Sequence, residues 1–438
     1  MQNVRNTKIS FYFFGGQGDN VSGMCFWIRS FAMSLVCVTF VAVNNFFMIY
    51  SSINKVVQCG LLLLLSLFVT VACSDDDGPY MPSPEANAQR TLIVFQPWAD
   101  DLQNAFTNNV RMMERSIEEH GGLQRQRLLV FRATAPTEGS LVEILYGRGS
   151  CFRDTLKVYR NFNAIKPEGM SQVLSDVRQF ATPATARYAL IVGCHGTGWL
   201  PPLRTTAPKV RPKSFGGWYG DEQIAIPDFV DVLLQSQMPM DFICFDDCYM
   251  AGVEVAYDLR HVTRWLIGSA CEMLRYGLPY DLIFSDLIAP EPRFDSVMSK
   301  FLSFYTQYNP PCGTLAAIDC SEVEAMAQIM REINGQYEFD ESQRAKLQTL
   351  DGYYPTLFFD MGDYVEHLCG DSVLLQRARE QLSRLVPYKA NTPSYYTASG
   401  GGGRVNLRTF SGLTISDPSV HGQATSNFAN SAWWQATH

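Results

Sequence analysis

Two side chains that could form a nucleophile and base pair, His195 and Cys248, each follow an apolar run of the sequence and lie about fifty residues apart. The first run is Tyr188-Ala-Leu-Ile-Val and the second is Met240-Asp-Phe-Ile-Cys-Phe. A thiol becomes a strong nucleophile near neutral pH when a neighbouring imidazole takes its proton. The pair therefore predicts cysteine-dependent acyl transfer, with Cys248 as the nucleophile and His195 as the general base.

These two runs are typical of buried parallel strands, whose carboxyl ends meet at one edge of a sheet. Further short apolar runs alternate with helical patterns along the chain, at 91–95, 127–131, 141–145 and 265–269. This alternation predicts an α/β fold in which a mostly parallel central sheet is covered by helices on both faces. The pattern becomes more helical after residue 290, so we expect a core over 90–290 and a C-terminal subdomain over 291–438.

The residues beside the pair fit the same chemistry. A predicted helix over 253–259 begins shortly after Cys248, and the positive end of a helix favours a thiolate. Gly196 allows a substrate carbonyl to approach the backbone, and the N–H groups of Gly196 and Cys248 are candidate oxyanion donors. Cys194 and Cys244 are rival thiols, but the first should point away from the histidine that follows it and the second lies inside its strand. A lone cysteine or histidine at such a position is usually a packing or turn residue, so it is their combination that favours catalysis.

Composition excludes several classes of protein. The 438 residues suffice for two ordinary domains, and a net charge of -8 with a pI near 5.4 argues against a nucleic-acid partner. The twelve cysteines include no Cys-x-x-Cys pair and no spacing typical of zinc. The composition therefore gives no reason to expect a cofactor.

Residues 1–72 are predicted to be a leader rather than part of the fold. A positive residue precedes an apolar run that ends at Cys73, which resembles a bacterial lipoprotein signal with Cys73 as the lipidated residue. A membrane-spanning helix is the alternative, although the run is short for one. Either residues 1–47 precede the true start, at Met48, or they carry a second span. The polar residues 73–89 are typical of a tether.

The motifs around the histidine and the cysteine resemble those of the clostripain family of caspase-like cysteine peptidases. The family shows Asn-His-Gly-Ser/Thr-Gly-Trp, where this chain has Cys-His-Gly-Thr-Gly-Trp over 194–199. It shows Asp-Ala-Cys-Leu-Met, where this chain has Asp-Asp-Cys-Tyr-Met over 246–250, followed by Glu-Val-Ala-Tyr over 254–257. Weaker likenesses extend the resemblance over about residues 90–420.

The resemblance implies a caspase-like α/β sandwich and an endopeptidase with a dyad formed by Cys248 and His195. It also implies cleavage after Arg or Lys, with Asp246 in the substrate pocket. Some members of the family cut themselves between the two catalytic residues, and the Pro-rich stretch 201–217 carries basic residues that would suit this, with an ordinary exposed loop as the equal alternative. Some relatives use calcium, but the chain has no EF-hand loop.

One departure from the family pattern bears on specificity. Where the family has Ser-Glu/Gln-Glu, this chain has Ser-Ala-Cys-Glu-Met-Leu-Arg-Tyr over 269–276. If Arg275 points inward, it would repel a basic substrate side chain. The candidate substrate-binding residues are Asp246, Asp247, Glu272 and Tyr276. The alternative function is therefore a catalytically weak or inactive surface-binding lipoprotein that keeps the peptidase fold. In both cases we expect an outer-membrane lipoprotein exposed on a bacterial cell envelope, with a peptide or protein as its partner.

Overall fold

A nine-stranded sheet organises the part of the chain that this computed structural model describes, which is residues 80–181, 187–202, 215–217 and 222–438. The strands of this sheet and the short strands outside it are, in chain order, β1 Arg90–Gln96, β2 Gln126–Ala135, β3 Glu138–Gly147, β4 Ser150–Arg160, β5 Tyr188–Val192, β6 His195–Gly196, β7 Phe215–Gly216, β8 Gln223–Ile224, β9 Met240–Phe245, β10 Thr263–Gly268, β11 Thr314–Asp319, β12 Phe359–Asp360, β13 Tyr388–Asn391, β14 Ser394–Thr397, β15 Gly403–Asn406 and β16 Thr414–Ile415.

The centre of the sheet is parallel and its edges are antiparallel. The strand order is β13-β11-β10-β9-β5-β1-β2-β3-β4. Strands from β10 to β2 in this order run parallel, whereas β3, β4, β11 and β13 pair with their neighbours in antiparallel fashion. Because successive side chains of a strand point to opposite faces, β1 directs Leu92 and Val94 into one apolar core and Ile93 and Phe95 into another.

Helices cover both faces of the sheet. Their bounds are α1 Gln103–Glu119, α2 Pro167–Phe180, α3 Ile226–Ser236, α4 Val253–Leu259, α5 Tyr280–Leu287, α6 Phe294–Gln307, α7 Val323–Asn334, α8 Met361–Leu368, α9 Ser372–Leu385, α10 Gly422–Asn427 and α11 Ala432–Thr437. Helices α1, α5 and α6 pack in the core that contains Leu92, and α2, α3, α4 and α7 pack in the core that contains Ile93. The predicted α/β fold with a mostly parallel central sheet is confirmed.

Local sequence explains several boundaries of these elements. Pro167 and Pro227 occupy the first turns of α2 and α3, where the missing N–H of proline costs nothing. The helix predicted over 253–259 is α4 with the same bounds. Strand β4 was not expected, because it lies at the outer edge of the sheet and most of its side chains are exposed or half-buried, so it lacks a continuous apolar run.

The residues after 290 contribute to the same sheet as those before it. Strands β11 and β13 extend it on one side, and Tyr80–His438 form one compact unit. The subdomain boundary at residue 290 remains a prediction. The turn between β14 and β15 contains Gly400 and Gly402, whose φ angles of 62° and 76° lie in a region that favours glycine. Across the described residues, no helix combines the length and apolarity needed to span a membrane.

Candidate active site

The two candidate catalytic residues follow neighbouring strands of the sheet. Strands β5 and β9 pair in parallel, with Val192 opposite Phe245 at their carboxyl ends. The last backbone hydrogen bond between these two strands is donated by the N–H of Asp246 to the carbonyl oxygen of Val192, at 2.8 Å. His195 and Cys248 each come three residues after a strand end. The fold therefore brings both residues to the same edge of the sheet.

The loops that carry the two residues are in close contact. A Cβ atom placed on Gly196 would lie 2.5 Å from the carbonyl oxygen of Cys248 and 2.6 Å from the Cβ of Asp247. Real Cβ atoms do not approach other atoms this closely, so only glycine fits at position 196. His195 and Gly196 also form β6, which pairs with β7. The close approach leaves little room for the histidine loop to move relative to the cysteine loop.

A carboxylate lies against the imidazole of His195. The Nε2 atom of His195 is 2.9 Å from Oδ1 of Asp101, and the two side chains are 19% and 43% exposed. Asp101 belongs to a short 3₁₀ turn, Asp100–Leu102, that follows β1, the strand on the other side of β5. Three adjacent strand ends thus supply a carboxylate, an imidazole and a thiol. The sequence did not identify Asp101 as a site residue.

The sulfur of Cys248 receives a backbone hydrogen bond. The N–H of Met273, in the loop after β10, donates to Sγ of Cys248 at 3.2 Å, and the carbonyl oxygen of Met273 lies 3.8 Å from the same sulfur. The side chain of Cys248 is half-buried, whereas Cys194, Cys244 and Cys271 are buried. Burial raises the pKa of each of these three thiols well above its usual value. Among these four cysteines, Cys248 is the one that a substrate could reach.

Asp246 is buried beneath the loop that follows β10. Its carboxyl group accepts hydrogen bonds from Nδ2 of Asn109 at 3.0 Å and from the N–H of Leu278 at 2.8 Å, and a third from the hydroxyl group of Tyr280. Burial raises the pKa of Asp246 to about 7, although the bonds from Tyr280 and Leu278 oppose the shift. Asp246 therefore supports the loop at 277–278, and 8% of the residue is exposed.

Asp247 is also buried, and its carboxyl group contacts the residue before the histidine. Its Oδ1 accepts the N–H of Cys194 at 2.6 Å, and its Oδ2 lies 3.3 Å from Sγ of Cys194. Burial raises the pKa of Asp247 to about 8, against the opposing effect of these two hydrogen bonds. Asp247 thus joins the cysteine loop to the histidine loop.

Glu272 lies on the other side of Cys248 and anchors the β14–β15 hairpin. Its carboxylate accepts five hydrogen bonds, from the Tyr249 hydroxyl, the Thr397 hydroxyl, the Ala398 N–H, and the N–H and hydroxyl of Ser399. Burial alone would raise the pKa of Glu272, but these donors outweigh it and the pKa is lowered. Glu272 therefore holds the tip of the hairpin beside the loop that contacts the sulfur.

Arg275 and Tyr276, later in the same loop, have different surroundings. The ring of Tyr276 stacks on Phe304 with centroids 4.7 Å apart, and its hydroxyl lies 3.1 Å from the sulfur of Met112. Tyr276 is therefore packed against α1 and α6. The guanidinium of Arg275 donates to the backbone carbonyl of Asp101. Arg275 thus braces the turn that carries the carboxylate next to His195.

Several expectations from the sequence fall outside the described residues. These are the leader with Cys73, and most of the stretch 201–217, whose basic residues lie within 203–214. Within the described ranges, no group of three or more His, Cys, Asp or Glu side chains is arranged to hold a metal ion.

The model of the Clostripain family matches residues 132–370 of this chain, which include both candidate catalytic residues. A solved structure of a secreted C11 cysteine protease from Bacteroides thetaiotaomicron, "iotapain", is 40% identical with a TM-score of 0.75, and the match covers 81% of this chain and 100% of that chain. No curated protein matches this chain significantly.

Two further structures share the fold. A clostripain from Bacteroides thetaiotaomicron ATCC 29148, solved in complex with the peptide inhibitor BTN-VLTK-AOMK, is 47% identical with a TM-score of 0.50, and the match covers 51% of this chain and 99% of that chain. An inactive zymogen C11 protease from Parabacteroides distasonis is 24% identical with a TM-score of 0.67, and the match covers 82% of this chain and 100% of that chain.

Proposed function

Because the chain belongs to the clostripain family of cysteine peptidases, we propose that its nucleophile is Cys248 and its general base is His195. The observation that carries this assignment is the contact between the two loops, in which Gly196 lies against the backbone of Cys248 at the ends of paired strands. The half-buried state of Cys248 supports it further, since rival thiols at this edge are buried.

The proposed reaction is hydrolysis of a peptide bond through an acyl-enzyme. His195 takes the proton from the Cys248 thiol, and the thiolate attacks the substrate carbonyl carbon. The tetrahedral intermediate collapses as the imidazolium returns the proton to the leaving amine, and a water molecule then releases the acyl group. The backbone N–H groups of Gly196 and Cys248 are the proposed donors to the oxyanion, each worth about 3 kcal/mol in the transition state.

Two neighbours suit this mechanism. Oδ1 of Asp101 lies 2.9 Å from Nε2 of His195, which leaves Nδ1 as the ring nitrogen that would take the thiol proton. The N–H of Met273 donates to the Cys248 sulfur at 3.2 Å and would keep this hydrogen bond to the thiolate that attacks the substrate. Asp101→Ala should therefore reduce kcat with little change in KM, because it alters the base and leaves the substrate pocket intact.

The proposed P1 residue is Lys or Arg. The similar clostripain was solved with an inhibitor in which K directly precedes the AOMK group. The candidate acidic residues near Cys248 are already engaged, since Asp246 supports the 277–278 loop and Glu272 anchors the hairpin. A basic P1 side chain would therefore have to share one of these carboxylates, and Asp246 is the better candidate because it is linked to Cys248 through a single residue.

The same engaged carboxylates motivate the second candidate, a weakly active or inactive binding lipoprotein. Peptide acyloxymethyl ketones that differ only in a Lys, Arg or Leu next to the reactive group separate the two. Labelling of wild type but not of Cys248→Ala supports the peptidase. The probe that labels fastest then identifies the preferred P1 residue. Absence of labelling by all three probes, with binding of the peptides retained, would favour the second candidate.

The proposed location is the outer membrane, through lipidation of Cys73. The sequence around this cysteine supports the proposal, and the 40% identical protease is described as secreted, which agrees with export. Growth with an alkyne-labelled fatty acid should label wild type and leave Cys73→Ser unlabelled. Labelling of both proteins, or of neither, would contradict lipidation at this residue.

We also propose that the chain cleaves itself within 201–217. The basic residues of this stretch, Arg204, Lys209, Arg211 and Lys213, match the proposed P1 preference and lie between the two catalytic residues in sequence. Wild type should mature into two fragments that Cys248→Ala does not form. A single intact chain in mature wild type would contradict this proposal without affecting the assignment of the nucleophile.

A further inference from the structure

The backbone ladder between β5 and β9 ends just before the catalytic loops. Its last hydrogen bond joins Asp246 N–H to Val192 O, and the N–H of Gly193 already turns to β1, donating to Phe95 O at 3.1 Å. Beyond this point, the segment after β5 leads to His195 and the segment after β9 leads to Cys248. Some other interaction must therefore fix their relative position.

The side chain of Asp247 supplies such an interaction. It crosses from the cysteine loop to the histidine loop, where it accepts the Cys194 N–H at 2.6 Å and meets the Cys194 sulfur at 3.3 Å. Asp247 is the residue before Cys248, and Cys194 is the residue before His195. Each end of this bridge is therefore one peptide bond from a catalytic residue.

We propose that Asp247 is a positioning residue, whose carboxyl group holds Cys194 and thereby sets the distance between His195 and Cys248. The proposal rests on the proposed function of that pair. It differs from the role expected from the sequence, in which Asp247 binds substrate, because Asp247 is only 1% exposed and each of its carboxyl oxygens is directed at Cys194.

The tight packing around the bridge makes the position sensitive. Gly196 lies against the Cβ of Asp247 as well as the carbonyl oxygen of Cys248, so the histidine loop rests on the side chain that holds it. Loss of the carboxyl group would leave the Cys194 N–H without this acceptor in a buried place, while the Cβ of residue 247 that packs against Gly196 would remain. A displacement of about 1 Å between reacting groups can reduce the rate about 100-fold.

Variants of the full chain test the proposal. Asp247→Ala should lower kcat about 100-fold and change KM less than about threefold, since the substrate does not touch this residue. Asp247→Asn keeps an oxygen that can accept the Cys194 N–H and should recover most of kcat. Cys194→Ala keeps its N–H but loses the sulfur, so its kcat should lie between those of Asp247→Asn and Asp247→Ala. The double variant with Asp247→Ala and Cys194→Ala should have the same kcat as Asp247→Ala alone, because both substitutions remove the same interaction.

A matched control separates positioning from general destabilisation. Glu254 on α4 is also buried, and burial raises its pKa to about 8, but its Oε1 accepts the N–H of Ser416. Glu254→Gln should leave kcat at the wild-type level. The rate of Cys248 alkylation by iodoacetamide, read from the modified peptide, should fall with kcat in Asp247→Ala and stay unchanged in Glu254→Gln.

The outcomes are distinct. Normal kcat in Asp247→Ala, an effect confined to KM, or an equal loss in Glu254→Gln would each overturn the positioning role. If Asp247→Ala does not fold, the order of kcat among wild type, Asp247→Asn and Cys194→Ala decides, and equal values overturn the proposal. Activity in Cys248→Ala would instead refute the proposed function on which the inference rests.

Discussion

The carboxyl groups on the two sides of Cys248 have pKa values that are shifted in opposite directions. On the strand side, burial outweighs the three donors to Asp246 and the two donors to Asp247, and it raises their pKa values to about 7 and about 8. On the hairpin side, Glu272 is half-buried, but five donors lower its pKa. At neutral pH, Asp247 is thus mostly protonated and Asp246 about half protonated, whereas Glu272 is ionised. Acidic residues near a nucleophile therefore differ in what they can offer a basic substrate.

The two sides also differ in packing, and this difference gives the largest expected effect. Gly196→Ala would force a Cβ into the backbone of Cys248, so we expect a loss of kcat/KM of about 100-fold or more. On the hairpin side, a Cβ added to Gly402 would make only ordinary contacts, the nearest at 3.6 Å. Gly402→Ala should cost about 1 kcal/mol of stability through its φ of 76° and leave kcat/KM nearly unchanged. Steady-state kinetics on both variants check the contrast, and equal losses would refute it.

The dependence of stability on pH should have opposite signs on the two sides. The pKa of Asp247 is raised on folding, so its contribution is most favourable below the unfolded-state pKa of about 4 and is lost as pH rises through about 8. The pKa of Glu272 is lowered on folding, so its contribution is present above its unfolded-state pKa and is lost as pH falls through the folded value.

Urea unfolding at pH 5, 7 and 9 measures these slopes. Relative to wild type, Asp247→Asn should become more stable as pH rises, by at most about 1.4 kcal/mol per pH unit between the two pKa values. Glu272→Gln should be most destabilising at pH 7 and 9 and less so towards acid pH. If the stability of both variants relative to wild type changed with pH in the same direction, the opposite pKa shifts of Asp247 and Glu272 would be refuted.

Glu272 should matter for the hairpin more than for recognition. Glu272→Ala removes the acceptor that Thr397, Ala398 and Ser399 share, which should cost about 1–3 kcal/mol and expose the hairpin tip to proteolysis. Limited trypsin digestion should then cut at Arg404, next to the tip, faster than in wild type. An unchanged cleavage rate there, together with a lost preference for basic P1 residues, would instead assign Glu272 to the substrate pocket.

The smallest effect concerns specificity. If Asp246 recognises a basic P1 side chain, the preference for Lys over norleucine should increase several-fold between pH 6 and pH 8, because the pKa of Asp246 is about 7 and the carboxylate becomes ionised in this range. The ratio of kcat/KM for matched peptides measures this preference. Asp246→Asn is the control and should give a ratio that does not change with pH.

The strand ends could be predicted from sequence because each of the two proposed catalytic residues follows a short apolar run, and the ends of neighbouring parallel strands align. The sequence could not assign Asp101 to the imidazole, because the two residues are 94 positions apart and meet only through the order of β1 and β5 in the sheet. The hairpin contact of Glu272 spans about 125 positions and was missed for the same reason. Asp247 was expected to bind substrate, since charge alone does not reveal that the side chain is buried against Cys194.

The measurement that tests the central claim most directly is the site of covalent labelling by a peptide acyloxymethyl ketone with Lys next to the reactive group, identified by mass spectrometry of the digested protein. We expect the adduct on the peptide that contains Cys248, absent in Cys248→Ala and formed at least about 100-fold more slowly in His195→Ala. An adduct on another cysteine, or labelling of Cys248 at the same rate without the imidazole, would contradict a catalytic pair at the ends of β5 and β9.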